Sequence, residues 1–245
     1  MPRFFVKSNQ INNSEINIIG EDVKHIKNVL RKQIGDKIEV CNQDNGDSYK
    51  CEIELLEENE IKSKIIEKLE NIQEKVQVDI YQGLPKSDKM ELIIQKSVEL
   101  GANSIIPVNM KRCVVKLDGK DEIKKNERWQ KIAESAAKQC GRNFIPEVKH
   151  LINIKEVCNF IDKYDAIIVA YENEKENTLK SELKKLKSSS LKIGIVIGPE
   201  GGFEENDIKL LKESGAKIVT LGDRILRTET VALNVLSIIM YEYEQ

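Results

Sequence analysis

Two segments bring glycine, carboxylate, guanidinium and hydroxyl groups together at spacings suited to chemistry. The first is Gly198-Pro199-Glu200-Gly201-Gly202-Phe203. Its glycines permit tight turning and a close approach of backbone to a ligand, and Glu204-Glu205-Asn206-Asp207 then opens a helix. The spelling is neither Gly-x-Gly-x-x-Gly nor a P-loop with its Lys and Ser/Thr. Glu200, Glu204, Glu205 and Asp207 crowd the helix start and would repel a polyphosphate. A neutral or cationic ligand suits this loop better. A glycine turn whose acids satisfy a helix dipole accounts for the same residues.

The second segment is Leu221-Gly222-Asp223-Arg224-Ile225-Leu226-Arg227-Thr228, with Thr228 read as the cap of a helix over Glu229–Tyr241. That helix is apolar nearly all round, so it must be covered on more than one side, by its own core or by a second subunit. Arg224 and Arg227 could pair with nearby acids or meet a ligand. The two histidines, His25 and His150, have no Cys beside them, and the five cysteines contain no Cys-x-x-Cys pair. No metal site and no disulfide framework is expected, and little supports a Ser-His-Asp device.

These segments need elements to hold them. The 245 residues suffice for one large domain or a medium and a small one, and 40% hydrophobic with 33% charged residues is an ordinary globular balance. No apolar run approaches the ~18 residues of a membrane span, and the first residues lack a signal-peptide core, so a cytoplasmic protein is expected. Up to residue 72 the pattern is extended, with a helix from Glu21 to Arg31. Strands follow at Lys37–Cys41, Tyr49–Leu55 and Ile61–Leu69, and Asn45-Gly46 suits the positive backbone angles of a hairpin turn. This reads as a small β-barrel closed by one helix, with Glu67–Lys75 as linker.

From Val76 strands and helices alternate. Strands are expected at Val76–Tyr81, Ser104–Val108, Asp165–Tyr171, Leu191–Ile197 and Lys217–Leu221. Helices are expected from Ser87-Asp88 to Gly101, over Glu122–Cys140 and at the C-terminal end. The alternation predicts an α/β fold with a mainly parallel sheet, whose ligand should lie beyond the strand ends, at the loops after Ile197 and Leu221. Net charge is −2, yet Lys111–Lys149 carries 11 basic and 6 acidic residues, and Lys24–Lys37 carries 5 basic residues against Asp36. Two basic islands are compatible with a polyanion footprint and with plain solvated faces.

Gly198–Phe203 together with Leu221-Gly-Asp-Arg-Ile-Leu-Arg-Thr-Glu-Thr230 resembles the paired signature of the RsmE family, which methylates N3 of a uridine in small-subunit ribosomal RNA. Gln95–Gly101, Lys111-Arg112 and Gln139-Cys140-Gly141-Arg142 resemble the same family, and the likeness runs in order along essentially the whole chain. Cys140 departs from it, standing where a small polar residue is expected. The resemblance implies a PUA-like RNA-binding β-barrel over residues 1–72. Over residues 73–245 it implies a SPOUT-type methyltransferase domain whose C-terminal chain is threaded into a trefoil knot. It further implies a homodimer, and 16S ribosomal RNA within the assembled 30S subunit as partner.

On this reading S-adenosylmethionine, a cation without phosphate, is the cofactor. Tyr171, Ile197, Gly198, Glu200, Gly201, Gly202, Leu221, Gly222, Ile225, Leu226 and Thr228 would hold it, the amides of Leu221–Leu226 reading the adenine edge. Arg112 would stabilise the uracil anion, and Glu200 is the candidate for orienting the base or relaying its proton. Arg31, Lys32 and Lys111 would contact RNA, and Arg142 and Arg227 would contact RNA or position loops. Two other readings share these residues: a SPOUT enzyme for a ribose 2′-hydroxyl or another RNA, and a non-catalytic RNA-binding protein of the same fold. The run Leu226–Thr230 favours the uridine-N3 group, and both glycine loops with Arg112 speak against loss of catalysis.

Overall fold

A computed structural model describes residues 3–70, 74–86, 88–188 and 190–244. The chain forms two compact units, Met1–Gln73 with Ala137–Ile145, and Glu74–Ala136 with Pro146–Gln245. The expected boundary at 72/73 and the middle of the expected linker lie outside the described residues.

The first unit contains β1 (Arg3–Val6), β2 (Ile11–Asn12), β3 (Glu15–Ile19), α1 (Glu21–Lys24), β4 (Lys37–Asn42), β5 (Ser48–Leu56) and β6 (Glu60–Leu69). Its sheet runs β1-β4-β5-β6-β3-β2, a half-barrel whose end strands are not paired with each other. Alternate residues of these strands, among them Ile16, Ile18, Ile38, Val40, Ile53 and Ile61, are fully buried with Val23 and Ile26, as a period of two requires when one sheet face is covered.

The helix expected to reach Arg31 is shorter. After α1 the backbone widens into a π turn over His25–Val29, with Leu30 N–H donating to His25 O. Arg31 then takes φ 51° and Lys32 N–H returns to Ile26 O, the closure of a helix C-terminus through a left-handed residue. In the turn after β4 only Gly46 has positive φ. Asn45, expected at a positive angle, instead accepts a hydrogen bond from Asp47 N–H within the turn that joins antiparallel β4 and β5.

The second unit contains β7 (Val76–Gly83), α2 (Lys89–Glu99), β8 (Ser104–Asn109), α3 (Gly119–Cys140, its last turn in the first unit), β9 (Glu147–Val148), β10 (Ile152–Asn153), α4 (Ile154–Cys158), β11 (Ala166–Ala170), α5 (Leu179–Leu183), β12 (Leu191–Ile197), α6 (Glu205–Glu213), β13 (Lys217–Val219) and α7 (Thr228–Tyr243). Every pairing is parallel, in the order β10-β8-β7-β12-β11-β13, with β9 also on β8. Central β12 is apolar apart from half-buried Lys192 because both of its faces are covered. With all strands parallel, Gly83, Asn109, Ala170, Ile197 and Val219 end on one side of the sheet, and the loops that follow share that edge.

Candidate active site

The glycine loop leaves β12 at Ile197 and passes tightly over the end of β7. A Cβ on Gly83 would stand 2.7 Å from Pro199 N and Cδ, so only glycine fits there. Gly202 closes the turn with φ +68° and donates its N–H to Pro199 O at 2.9 Å. Phe203 is buried and meets Tyr171 edge to face, ring centroids 6.2 Å apart. Glu204 and Asp207 then form a reciprocal capping box at the start of α6.

Thr228 is not the cap of α7. Arg227 holds that position without a side-chain bond, and Thr228 is the first helical residue. Its hydroxyl donates to Gly198 O at 2.7 Å and accepts from Gln82 Nε2 at 2.9 Å. One buried hydroxyl thus ties the end of β7, the glycine loop and the start of α7 together.

Two adjoining cavities open along this edge. The inner one, about 350 Å³, is lined by Ile197, Gly198, Glu200, Gly202, Arg227 and Thr228 among others. The outer one, about 200 Å³, is lined by Tyr171, Leu221, Gly222, Asp223 and Arg224 among others. Ala170, Glu172, Ile225, Leu226 and Val231 belong to both walls. Of the residues expected to hold a cofactor, all but Gly201 line one cavity or the other. Gly201 instead faces Arg112, with a would-be Cβ 3.0 Å from Arg112 O and 3.1 Å from Arg112 Cβ. The exposed Arg112 guanidinium donates from Nη1 to Gly201 O at 3.1 Å.

Glu200 is firmly anchored. Lys89 Nζ lies 3.0 Å from its Oε1, and Lys86 N–H donates to the carboxylate at 3.1 Å and 3.2 Å. Burial by itself would raise its pKa, but hydrogen bonds from its own backbone, Lys89 and Lys86 prevail and hold it below the ordinary carboxylate value. These partners keep the carboxylate ionised and tie it to the turn before α2, where it also walls the larger cavity. Lys89 also lies 3.3 Å from Glu229 Oε2, linking the loop to α7. Asp207, by contrast, is pushed up by burial despite the Glu204 N–H that it accepts.

The residues expected on RNA divide. Arg31 is exposed and Lys32 half-buried in the first unit, and Arg227 is exposed at the inner cavity. Lys111 reaches Glu204 Oε2 at 3.0 Å but keeps most of its side chain in solvent. Arg142 is only 9% exposed, and its guanidinium lies 4.4 Å from the centre of the Phe144 ring, a place that suits the positioning of its loop. Sequence reasoning also passed over Gln82, Lys89 and Glu172, which stand outside any motif. Among the described residues no cluster of three or more His, Cys, Asp or Glu could hold a metal ion, and no helix is long and apolar enough to cross a membrane.

The RNA methyltransferase domain family matches residues 72–240, and the RNA methyltransferase PUA domain family matches residues 18–66. A curated relative from Bacillus subtilis (strain 168), named ribosomal RNA small subunit methyltransferase E, is 41% identical over 100% of this chain and 98% of its own. Its namesake from Mesomycoplasma hyopneumoniae (strain 232) is 33% identical over 97% and 98%. The crystal structure of the Neisseria gonorrhoeae protein of that name, bound to S-adenosylmethionine, superposes with a TM-score of 0.86 at 30% identity over 99% of this chain and 98% of that one. With a domain match over residues 72–240 and full-length identity of this order, the chain belongs to the ribosomal RNA small subunit methyltransferase E family.

Proposed function

We propose that the protein transfers the methyl group of S-adenosylmethionine to N3 of a uridine in 16S ribosomal RNA. The observation that carries this reading is the pair of adjoining cavities beyond the strand ends, with the Arg112 guanidinium held against the loop that walls the inner one. The walls fit the cofactor. They offer apolar contact from Ile225, Leu226 and Val231, glycine backbone at 198, 202 and 222, and carboxylates that suit a cation and repel a polyphosphate. When bound, S-adenosylmethionine supplies an electrophilic methyl group on a positively charged sulfur.

The chain's residues supply position and charge. The Thr228 bridge and the Lys89–Glu200 pair fix the glycine loop. Arg112 donates once to Gly201 O and keeps the rest of its planar fork for the uracil oxygens, whose negative charge grows as the N3 proton passes by way of Glu200 to solvent and the methyl group moves from sulfur to N3. The first unit, through Arg31 and Lys32, positions RNA and performs no chemistry. The further elements of the reading are a trefoil knot in the C-terminal chain, a homodimer, the assembled 30S subunit as substrate and a cytoplasmic location.

The test is nucleoside mass spectrometry of 16S ribosomal RNA from a deletion strain. Complementation with the wild-type protein should restore N3-methyluridine, and Arg112→Ala at native level should not, while S-adenosylmethionine binding persists. Full restoration by Arg112→Ala would remove Arg112 from the chemistry. A ribose-methylated product, or none from the wild type, would overturn the reaction.

A further inference from the structure

The glycine loop and its surroundings are rich in acids, three of which hold cations. Glu200 and Glu229 share Lys89, and Glu204 holds Lys111. Glu172 differs. It follows Tyr171 beyond the end of β11, its Oε1 lies 2.9 Å from where a Cβ on Gly202 would stand, and among the described residues no cation pairs with its carboxylate. Lys175 Nζ turns instead to the Glu172 backbone oxygen, at 3.2 Å.

Place adds to charge. Of the five residues shared by both cavity walls, Ala170, Ile225, Leu226 and Val231 are apolar, and Glu172 alone is ionisable. A ligand that fills both cavities presents its middle to this shared wall. In S-adenosylmethionine the middle is the sulfonium, joining the adenosine and the amino-acid ends, and it carries a charge that S-adenosylhomocysteine lacks.

We infer that Glu172, exposed at the shared wall, supplies the negative charge facing the sulfonium, and so favours the methyl donor over the demethylated product in this cavity. The inference rests on the cofactor reading above. An unpaired carboxylate beside apolar walls gains most from a cation that brings little competing hydration, and a sulfonium has no N–H to be hydrated. Gly202 matters because any side chain there would collide with the carboxylate and displace it from the wall.

The test is calorimetric binding of S-adenosylmethionine and S-adenosylhomocysteine to wild type and Glu172→Gln. The expected result is a donor affinity lower by roughly fivefold in the variant, the upper range for an ion pair that solvent can reach, with product affinity unchanged. Retained product binding also reports an intact fold. An unchanged donor-to-product ratio, whether both affinities hold or both fall together, would overturn the role of Glu172. Failure of the wild-type protein to bind either compound would instead overturn the cofactor reading itself.

Discussion

The Thr228 hydroxyl donates to Gly198 O at 2.7 Å across 30 residues of sequence, while accepting from Gln82 Nε2 at 2.9 Å. The end of β7 and two segments that wall the candidate site are thereby referred to one atom. Thr228→Val keeps the shape and removes both bonds, leaving a buried amide donor unmatched at the fully buried Gln82. It should cost about 1–3 kcal/mol of unfolding free energy and weaken S-adenosylmethionine binding, whereas Thr228→Ser should retain most of both. Urea denaturation with calorimetry checks this; equal behaviour of the Val and Ser variants would show that the bridge is dispensable.

Gly201 makes its close approach to Arg112 and not to a cavity. A methyl group there would enter at 3.0 Å from a backbone oxygen, which has little room to yield. Gly201→Ala should therefore displace Arg112 and lower single-turnover methyl transfer by more than it lowers cofactor affinity. A loss confined to cofactor binding would return Gly201 to the cofactor wall.

Much of this arrangement was legible before any coordinates. The almost wholly apolar run Leu191–Ile197 has the composition of a doubly covered strand, and the two glycine-bearing segments announce loops at the edge where parallel sheets bind ligands. Composition is silent on what depends on tertiary approach. Arg112 and Gly201 meet across 89 residues, Lys89 finds two acids more than a hundred residues away, and Arg142, basic in sequence, is withdrawn by its packing on Phe144. The π turn at His25–Val29 escapes helical periodicity because one residue added to a turn leaves Val23 and Ile26 on the buried face.

The anchored state of Glu200 has a pH signature. Its folded-state pKa lies below the ordinary value of 4.5, so its ionised form is bound more firmly in the folded chain than in the unfolded one. The resulting stabilisation is present above that ordinary value and is lost as pH falls through the lower folded value. Glu200→Gln should accordingly be less stable than wild type at neutral pH, with the gap narrowing in acid. Denaturation midpoints of both proteins over a pH series test the sign; a gap that widens on acidification would contradict the Lys89 and Lys86 anchoring.

The apolar circumference of α7 predicts a dimer. One face is spent within the second unit: Ala232, Val235, Leu236 and Ile239 are buried, and Met240 lies against Gly101, where a Cβ would stand 3.0 Å from its Cε. Another stripe, Val231, Asn234, Ile238 and Tyr241, follows helical spacing along the opposite side. Ile238 is 38% and Tyr241 69% exposed. Exposed apolar residues at this spacing suit a symmetric helix-to-helix contact. The stripe begins at Val231, which walls both cavities, so a second subunit seated on it would adjoin the cofactor site. Wild-type protein should give twice the 28.0 kDa chain mass by light scattering at micromolar concentration. Tyr241→Asp, at an exposed position that burial within the chain does not constrain, should give the single-chain mass, with weakened cofactor binding. A wild-type mass of one chain would remove the dimer. A monomeric variant with unchanged cofactor affinity would separate the interface from the site.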